Sequence, residues 1–454
     1  MNQLIIDDAV ERVRAALETG RVDDAISYLN TLHPADRAET FADLETEDQH
    51  ELLPRMDAES TAEILEELED EDALAATTHL SSAQLADVLD EMEPDAAADI
   101  LGDLSPERAA SALAEMEEAD DVRPLLAYED DTAGGLMTPE FFALRESMTS
   151  QSAIAFLRAR EPDAETPYYL YVVDIQDRLV GVLGLRSLIM SSPGVLVSDV
   201  MERDIRTVQA GTDQEEVANL MTKYSLLALP VVDADGKLVG VVRSSDIAHV
   251  IEEEATEDIH RLSNISSDGG DLGPWSPVRT SVQRRLPWLY INLFTAFLAA
   301  WVVSQFEATI AQLAVLAVFQ SIVAGQGGNA GTQTLAIMVR GLALGEIEIR
   351  DIGPALLREI GIGLVHGVAV GIAVGIGAFL WKGIPFLGVV IGLAMIGNMV
   401  AAGMAGTLVP LTLKSLKLDP ALASAVLVTT VTDCVGFGLF LGLATAFLPL
   451  LKPV

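Results

Sequence analysis

Residues 420–451 read PALASAVLVTTVTDCVGFGLFLGLATAFLPLL, and this run decides which class of fold the chain can adopt. As a helix it is long enough to cross the ~30 Å hydrocarbon core of a bilayer. It contains one acidic residue, Asp433, and no basic residue. A carboxylate at that depth costs at least ~3 kcal/mol unless it faces water or a cation. Two interpretations follow: a protonated carboxyl that is hydrogen-bonded inside a helix bundle, or a carboxylate on an ion or substrate path.

Other apolar runs precede this one, and together they predict a five-span transmembrane helix bundle. The runs are residues 286–306, 310–339, 354–381, 385–413 and 420–451. The flanking basic residues are Arg284, Arg285, Arg340, Arg350, Arg358, Lys414 and Lys417 on one side, against Lys382 and Lys452 on the other. The basic side is cytoplasmic by the positive-inside tendency. We therefore expect a multi-pass protein of the inner membrane with its N-terminus in the cytoplasm and its C-terminus outside.

Two glycine patterns lie inside these runs. Gly363, Gly367, Gly371 and Gly375 recur at every fourth position, which is typical of close helix packing. Residues 324–334 read AGQGGNAGTQT. So many glycines and amides within a membrane segment predict either a broken helix or a wall that lines water.

Charge is distributed unevenly along the chain. Residues 286–454 carry seven acids and seven bases, whereas residues 1–285 carry the other 61 acids and 21 bases and thus the whole net charge of −40. A polyanionic soluble half argues against nucleic acid as a partner and would attract cations. The one cysteine, Cys434, excludes internal disulfides and a thiolate metal cluster. The opening residues lack the pattern of a signal peptide, so the acidic half is expected in the cytoplasm.

The first part of the acidic half is a twelve-residue repeat. It is marked by Leu32, Leu44, Met56, Leu68, Leu80, Met92, Leu104 and Met116. Ser105-Pro106-Glu107 has the signature of a helix start, with an N-cap serine, a proline at the first helical position and an acid in the first turn. Units of about two turns are too short to fold alone. Residues 1–128 are therefore predicted to form an all-α superhelical repeat domain, with an ordinary acidic helical bundle as the alternative.

The second part is a duplicated α/β module. Tyr171-Val172-Val173-Asp174 recurs 59 residues later as Pro230-Val231-Val232-Asp233, and Leu179-Val180-Gly181-Val182 as Leu238-Val239-Gly240-Val241. Leu136-Met137 recurs 64 residues later as Val200-Met201, so the first copy holds about five extra residues near Pro162–Pro167. Apolar runs separated by turns predict strands. The duplication resembles a tandem pair of CBS domains, at 129–194 and 195–246.

Paired CBS domains commonly bind adenine nucleotides in their cleft, so the resemblance makes ATP a candidate ligand. Asp246 in the second copy stands where such domains often place an acid that meets the ribose, but the first copy has Ser187 at the equivalent position. A purely mechanical sensor scaffold is the alternative.

Residues 247–283 form the predicted link between these domains and a membrane domain at 284–454. A predicted helix at 245–262 runs into this link and carries Glu254, Glu257 and Asp258, one to four positions apart, on one face. Like charges so close destabilise an isolated helix. The run is either a solvated acidic surface or a place where divalent cations neutralise the charge.

Taken together, the parts resemble the MgtE-type magnesium channel family. The motifs that carry the resemblance cover essentially the whole chain in the family's domain order: Tyr128-Glu129-Asp130-Asp131-Thr132-Ala133-Gly134-Gly135-Leu136-Met137-Thr138, Glu254-Ala255-Thr256-Glu257-Asp258, Arg285-Leu286-Pro287-Trp288, Gly327-Gly328-Asn329, Val339-Arg340-Gly341-Leu342 and Thr432-Asp433. The resemblance implies a homodimeric, non-enzymatic, Mg²⁺-selective channel with a pore near its two-fold axis. Asp433 would hold hydrated Mg²⁺ there, in a pore lined also by Gly328, Asn329 and Thr432.

The resemblance also implies cytoplasmic Mg²⁺ sites that close the gate. Their candidate ligands are Asp95, Asp99, Asp246, Glu254, Glu257 and Asp258, with Asp213 and Glu215 as further candidates. Mg²⁺ prefers oxygen ligands, and Asp95 and Asp99 are one helical turn apart, so both can face one cleft. His249 and Ser225 stand where further carboxylates are expected, which leaves the number of ions open. The alternatives are a carrier of another divalent cation such as Co²⁺ or Mn²⁺, an efflux carrier, and a CBS-regulated transporter of an ion such as chloride.

Overall fold

A computed structural model describes residues 2–68, 70–159, 169–266, 272–274, 276–422 and 424–451. The chain forms two compact units, Met1–Glu252 and Glu253–Val454. The predicted insertion near Pro162–Pro167, part of the linker and Lys452 lie outside the described residues. The finer division into five parts stays a prediction.

The first unit begins with a row of short helices, and its arrangement confirms the superhelical repeat. The helices are α1 (Asn2–Glu18), α2 (Val22–Leu29), α3 (Pro34–Ala42), α4 (Thr46–Leu52), α5 (Ala58–Glu66), α6 (Asp70–Thr77), α7 (Ser82–Glu91), α8 (Pro94–Asp103), α9 (Pro106–Glu115) and α10 (Ala119–Val122), with 3₁₀ turns at Leu53–Arg55 and Leu125–Ala127. Helices two apart pack together: α1 on α3, α3 on α5, α5 on α7 and α7 on α9 in one row, and α2 on α4 and α6 on α8 in the other. Stacked units thus share one core, as in a solenoid.

Local capping explains why the helices restart every twelve residues. The marker Leu or Met is followed by an N-cap residue in extended conformation, as at Asp57, whose carboxylate accepts the Ser60 N–H at 2.9 Å. Ser81 forms a reciprocal capping box with Gln84. Ser105 occupies the predicted N-cap position before Pro106, but its side chain makes no capping hydrogen bond.

Two three-stranded sheets confirm the duplicated module. Their elements are β1 (Ala143–Arg145), α11 (Ser150–Ala159), β2 (Tyr169–Val173), β3 (Leu179–Gly184), α12 (Leu185–Met190) and α13 (Val197–Val200), then β4 (Val208–Gln209), α14 (Gln214–Tyr224), β5 (Ala228–Val232) and β6 (Leu238–Arg243). In each sheet the first two strands are parallel and the last two antiparallel, with a register shift at the same place, Val172/Val173 and Val231/Val232. The 59-residue offset is therefore an offset between equivalent strands.

The Leu-Met motif that repeats with the 64-residue offset joins the two copies. Thr138 pairs with Val241 of the second sheet, and Glu202 pairs with Val182 of the first. The methionine before each of these residues packs against a glycine of the other copy. A Cβ at Gly240 would lie 2.5 Å from Met137 Sδ, and one at Gly181 would overlap Met201. Each copy thus packs its leading segment on the last strand of the other, which requires glycine there.

The second unit holds the C-terminal part of α15 (Asp246–Leu262) and the long apolar helices. These are α16 (Val278–Ser304), α17 (Glu307–Gln312), α18 (Val315–Ala343), α19 (Ile352–Lys382), α20 (Pro385–Ser415), α21 (Ser424–Ala446) and α22 (Leu448–Leu451), with a 3₁₀ turn at Ile349–Asp351. Within the described residues, four helices are long and apolar enough to cross a membrane, namely α16, α19 with its preceding turn, α20 and α21. The more polar α18 is not among them, so the count of five spans stays a prediction. The broken-helix interpretation of residues 324–334 is wrong, because α18 is continuous.

The glycine stripe of α19 packs as predicted. A Cβ at Gly363 would lie 2.7 Å from Met399 O, one at Gly367 2.6 Å from Ile396 Cα, and one at Gly375 2.7 Å from Gly388 O. The backbones of α19 and α20 therefore approach closely along the whole stripe, which only small residues allow.

A single methyl group on this stripe should destabilise the membrane unit. Gly367→Ala places a carbon 2.6 Å from the α20 backbone, so we expect a loss of about 1–3 kcal/mol and a lower melting temperature in detergent. Gly361→Ala, on the same helix with nothing within 4 Å of its Cβ, is the matched control. Equal melting temperatures for the two variants would contradict the close packing.

Candidate metal sites

Asp433 lies on α21 with its side chain half-buried. Within the described residues it makes no hydrogen bond and no ion pair. The neighbouring Thr432 is fully buried, and its hydroxyl donates to Thr429 O at 2.9 Å within the same helix. Both interpretations of Asp433 stay predictions.

The structure brings Gly328 and Thr432 together. A Cβ at Gly328 would lie 3.9 Å from Thr432 Oγ1, and one at Gly331 would lie 2.6 Å from Val428 Cγ1. The glycine face of α18 thus rests on the helix that carries Asp433, while Asn329 is exposed. A pore-lining role for Gly328, Asn329 and Thr432 stays a prediction.

Two buried polar residues of the membrane unit are missed by the sequence analysis. Asn398 on α20 is 0% exposed and donates from Nδ2 to Val323 O at 2.8 Å. Glu359 on α19 is 6% exposed and accepts the Thr334 hydroxyl at 3.0 Å. Each interrupts an apolar run, and that interruption is the signal that could have found them.

In the first unit, the guanidinium group of Arg243 lies beside both Asp95 and Asp246. Arg243 Nη2 lies 3.6 Å from Asp95 Oδ2, and Arg243 Nε donates to Asp246 Oδ2 at 3.3 Å. Arg243 also pairs with Glu93. Asp95 is 9% exposed, and its Oδ1 is buried without a hydrogen-bond partner. Arg243 is a further residue that sequence reasoning missed, because nothing local in the chain indicates its distant partners on α8.

The environment of Asp95 favours its neutral form. Burial, followed by the repulsion of Asp246, raises the pKa of Asp95 to about 7 from an ordinary 3.8. Glu66 and Glu140 add to the repulsion. Over the described ranges, no group of three or more His, Cys, Asp and Glu side chains is close enough together to hold a metal ion.

Asp99, one turn after Asp95 on α8, borders a cavity. Tyr128, Glu129, Asp130 and Asp131 of the Tyr128–Thr138 motif line the same cavity, whose volume is about 580 Å³. Glu66 lines a second hollow with Asp99 and also raises the pKa of Asp95, so the prediction that Asp95 and Asp99 face one cleft stays a prediction.

Asp213 has a structural role that sequence reasoning did not assign. It is the N-cap of α14, and its carboxylate accepts the Glu215 N–H at 2.9 Å. Asp213 also forms a backbone bridge with Thr132. The segment that carries both candidates is thereby fixed against the Tyr128–Thr138 motif.

The second unit holds the acidic end of α15. Arg261 pairs with Glu257 of its own helix and with Asp419 ahead of α21. Burial, then repulsion by Asp419, raises the pKa of Asp258, and Arg261 partly offsets this rise. Glu254 is half-buried one turn earlier. Asp419 is a further acid that sequence reasoning missed. Since Asp95, Asp99 and Asp246 belong to the other unit, a site shared with these acids stays a prediction.

Comparison with known proteins identifies the family. The profile described as the MgtE divalent cation transporter matches residues 320–443, the MgtE intracellular N domain matches 32–131, and the CBS domain matches 197–253. The magnesium transporter MgtE of Thermus thermophilus is 37% identical over 334 residues, which cover 72% of this chain and 72% of that protein. The chain belongs to the MgtE family of magnesium transporters. The MgtE of Enterococcus faecalis is 36% identical over 73% of this chain and 72% of its own length.

The chain is also similar to a solved structure. A crystal structure of the cytosolic domain of the Mg²⁺ channel MgtE in complex with ATP is 37% identical, with a TM-score of 0.49, and covers 53% of this chain and 99% of that chain. Membership of the MgtE family confirms a membrane transport protein rather than an enzyme and leaves the chloride alternative without support.

Removing the charge of Asp95 should stabilise this MgtE-family protein at neutral pH when divalent ions are absent. The pKa of the Asp95 carboxyl is about 7 in the folded protein and lower in the unfolded chain. Between about pH 4 and pH 7 the folded state therefore binds more protons than the unfolded state, and the free energy of unfolding falls as pH rises. Asp95→Asn should abolish that slope and melt higher than wild type at about pH 8 in EDTA. Asp43→Asn, at an exposed position, is the control. Parallel melting curves for wild type and Asp95→Asn from pH 5 to pH 8 would contradict the assignment.

Proposed function

We propose that the chain is a homodimeric Mg²⁺ channel in which hydrated Mg²⁺ passes the Asp433 carboxylate and which cytoplasmic Mg²⁺ closes. The observation that carries the proposal is the half-buried Asp433 carboxylate, which has no hydrogen-bond or ion-pair partner in the described part of the chain and lies on a membrane helix beside a glycine face. Membership of a magnesium transporter family supplies the ion class.

The chemistry of the cargo fits this carboxylate. Mg²⁺ releases its waters reluctantly and prefers oxygen ligands. A carboxylate that contacts the ion through those waters attracts it without trapping it, as conduction requires. The absence of side chains at Gly328 and Gly331 leaves the α18 face flat beside α21, and a two-fold axis near Asp433 would bring two carboxylates to one ion.

Regulatory Mg²⁺ would use the acidic groups of the cytoplasmic half. Asp95 is a candidate because its Oδ1 is buried and unpartnered among the described residues, and Mg²⁺ would have to displace Arg243, which lies against both Asp95 and Asp246. Asp99, Glu254, Glu257 and Asp258 are further candidate ligands, and Asp213 and Glu215 are additional candidates. Several ions that bind the closed arrangement better than the open one would give a steep response.

A nucleotide at the CBS pair is a separate proposal. Asp246 stands where CBS domains often place an acid that meets the ribose. Its carboxylate accepts hydrogen bonds from Ser245 Oγ at 2.7 Å and from Arg243 N at 3.2 Å. A ribose hydroxyl would therefore compete with these donors. Calorimetric titration with ATP, with and without Asp246→Asn, tests whether a site exists and uses this acid.

Flux into liposomes tests the transport proposal. Purified protein should pass Mg²⁺ faster than Mn²⁺ or Co²⁺ and should not pass Cl⁻, with flux that falls as Mg²⁺ rises on the cytoplasmic face. Preference for Co²⁺ or Mn²⁺ would instead indicate the broader divalent carrier. Dependence on an opposing ion gradient would indicate an efflux carrier.

A further inference from the structure

The membrane unit buries an amide that the transport proposal does not use. Asn398 on α20 is 0% exposed, and its Nδ2 donates to Val323 O of α18 at 2.8 Å. Its Oδ1 is buried without a partner among the described residues. Leaving a buried polar atom unpaired is unfavourable, so packing or function has to compensate at this position.

The amide of Asn398 packs against two glycines, one on each neighbouring helix. A Cβ at Gly436 of α21 would lie 2.7 Å from Asn398 Nδ2. A Cβ at Gly327 of α18 would overlap Nδ2 and lie 2.7 Å from Asn398 Cγ. A side chain at either position would displace the amide. Helices α18, α20 and α21 therefore meet at Asn398. Its amide fills the space between α18 and α21, because each of these two helices has a glycine at that point.

This junction lies beside the proposed ion path. Gly436 follows Asp433 by three positions, so it is one turn along the same helix. Gly327 precedes Gly328, whose Cβ would lie 3.9 Å from Thr432 Oγ1. The helix carbonyl that Asn398 binds, Val323 O, lies one turn before Gly327. The amide thus contacts both helices within a turn of the proposed pore residues.

We propose that Asn398 is a positioning residue for ion conduction, whose amide sets the separation of α18 and α21 next to Asp433. The inference rests on the proposed pore at Asp433 and deepens it. Passage of a hydrated ion depends on pore width. In enzymes a displacement of about 1 Å at a reacting group can cost roughly 100-fold in rate, and we expect a change in the separation of α18 and α21 at Asp433 to reduce conduction. Asn398 would therefore influence which divalent ion passes.

Transport by Asn398→Ala tests the proposal. We expect Mg²⁺ flux per folded protein in liposomes to fall about tenfold or more and the Mg²⁺-to-Co²⁺ flux ratio to change. The control is Thr445→Val, which removes a hydrogen bond of 2.9 Å between Thr445 and Thr309, three turns beyond Asp433 on α21. It should leave both quantities unchanged. Wild-type flux and an unchanged ion ratio in folded Asn398→Ala would overturn the proposal.

The glycine partner gives a test that does not depend on the folding of Asn398→Ala. Gly436→Ala should reduce Mg²⁺ flux because its methyl group displaces the amide, and adding the smaller side chain of Asn398→Ser should restore part of the flux. Normal conduction by Gly436→Ala, or failure of the folded double variant to recover any flux, would refute the spacer geometry.

A labelling experiment separates this inference from the proposed pore. Cys434, the single cysteine, lies next to Asp433 and is half-buried. Its rate of reaction with a methanethiosulfonate reagent should change in Asn398→Ser and stay constant in Thr445→Val. If Asp433→Ala conducts normally, the pore assignment fails, but a changed labelling rate would still support Asn398 as the spacer. An unchanged rate in Asn398→Ser counts against the spacer whatever Asp433 does.

Discussion

Asp433→Ala is expected to reduce Mg²⁺ flux roughly 100-fold or more while the protein still folds and assembles, because removing one charged partner of a close electrostatic contact costs about 2–5 kcal/mol. Asp433 has no hydrogen-bond or ion-pair partner in the described residues, so the substitution breaks no internal contact of that kind. Asp433→Asn keeps the shape and loses the charge. We expect it to retain little activity, which would assign the effect to charge rather than to packing.

The control for this experiment is the adjacent Cys434→Ala. Cys434 is half-buried like Asp433 but lies about 100° away around the helix. Its substitution should leave flux near the wild-type level. Uptake by purified, folded Asp433→Ala at the rate of Cys434→Ala would show that the ion takes another path. Glu359, the buried acid on α19, would then be the next carboxylate to test.

The second large effect concerns feedback by cytoplasmic Mg²⁺. Replacing Asp246, Glu257 and Asp258 together by Ala should keep the channel open at Mg²⁺ concentrations that close the wild type. A coupling of about 1–3 kcal/mol would shift the closing concentration by roughly 5- to 150-fold. Two effects oppose each other, since the substitutions also relieve the repulsion between Asp258 and Asp419. We expect lost ion binding to dominate, because a divalent ion contacts its oxygens at about 2.0–2.6 Å, closer than the carboxylates approach one another.

A matched triple variant separates ligand loss from charge loss. Glu39, Asp43 and Glu47 are exposed acids of the repeat domain that belong to none of the candidate sites, and their replacement by Ala removes the same charge. Recording from inside-out patches should show this control closing at the wild-type Mg²⁺ concentration. If the Asp246/Glu257/Asp258 variant closes there too, these residues are a solvated acidic surface and the sensor lies elsewhere.

Local sequence patterns predicted much of the architecture. The twelve-residue spacing of Leu and Met predicted helix starts that the structure places one or two residues after each marker, as at Asp57 and Ser81. The 59-residue offset predicted two equivalent sheets, and the stripe through Gly367 predicted close backbone contact. These features are encoded by neighbours in the chain, through capping, side-chain period and the size of glycine.

Predictions that depend on contacts between residues far apart in the sequence were less accurate. Residues 324–334 suggested a broken helix, yet α18 is continuous because its glycines pack against α20 and α21. Asp95 lies beside Arg243, a neighbour that its position on α8 does not predict. Helical spacing gives the direction of a side chain and not what stands opposite it.

The sequence by itself determined the class of this protein: apolar runs of membrane length, an acidic repeat, a duplicated α/β module and one carboxyl deep in the last helix. Each of these follows from composition and period, which are properties of short stretches. Only the tertiary structure decided that Arg243 joins Asp95 to Asp246, that Arg261 joins Glu257 to Asp419, and that Asn398 separates two glycine-bearing helices. Such contacts depend on which distant surfaces fit together, because the free energy of a buried amide or ion pair is set by its whole surroundings.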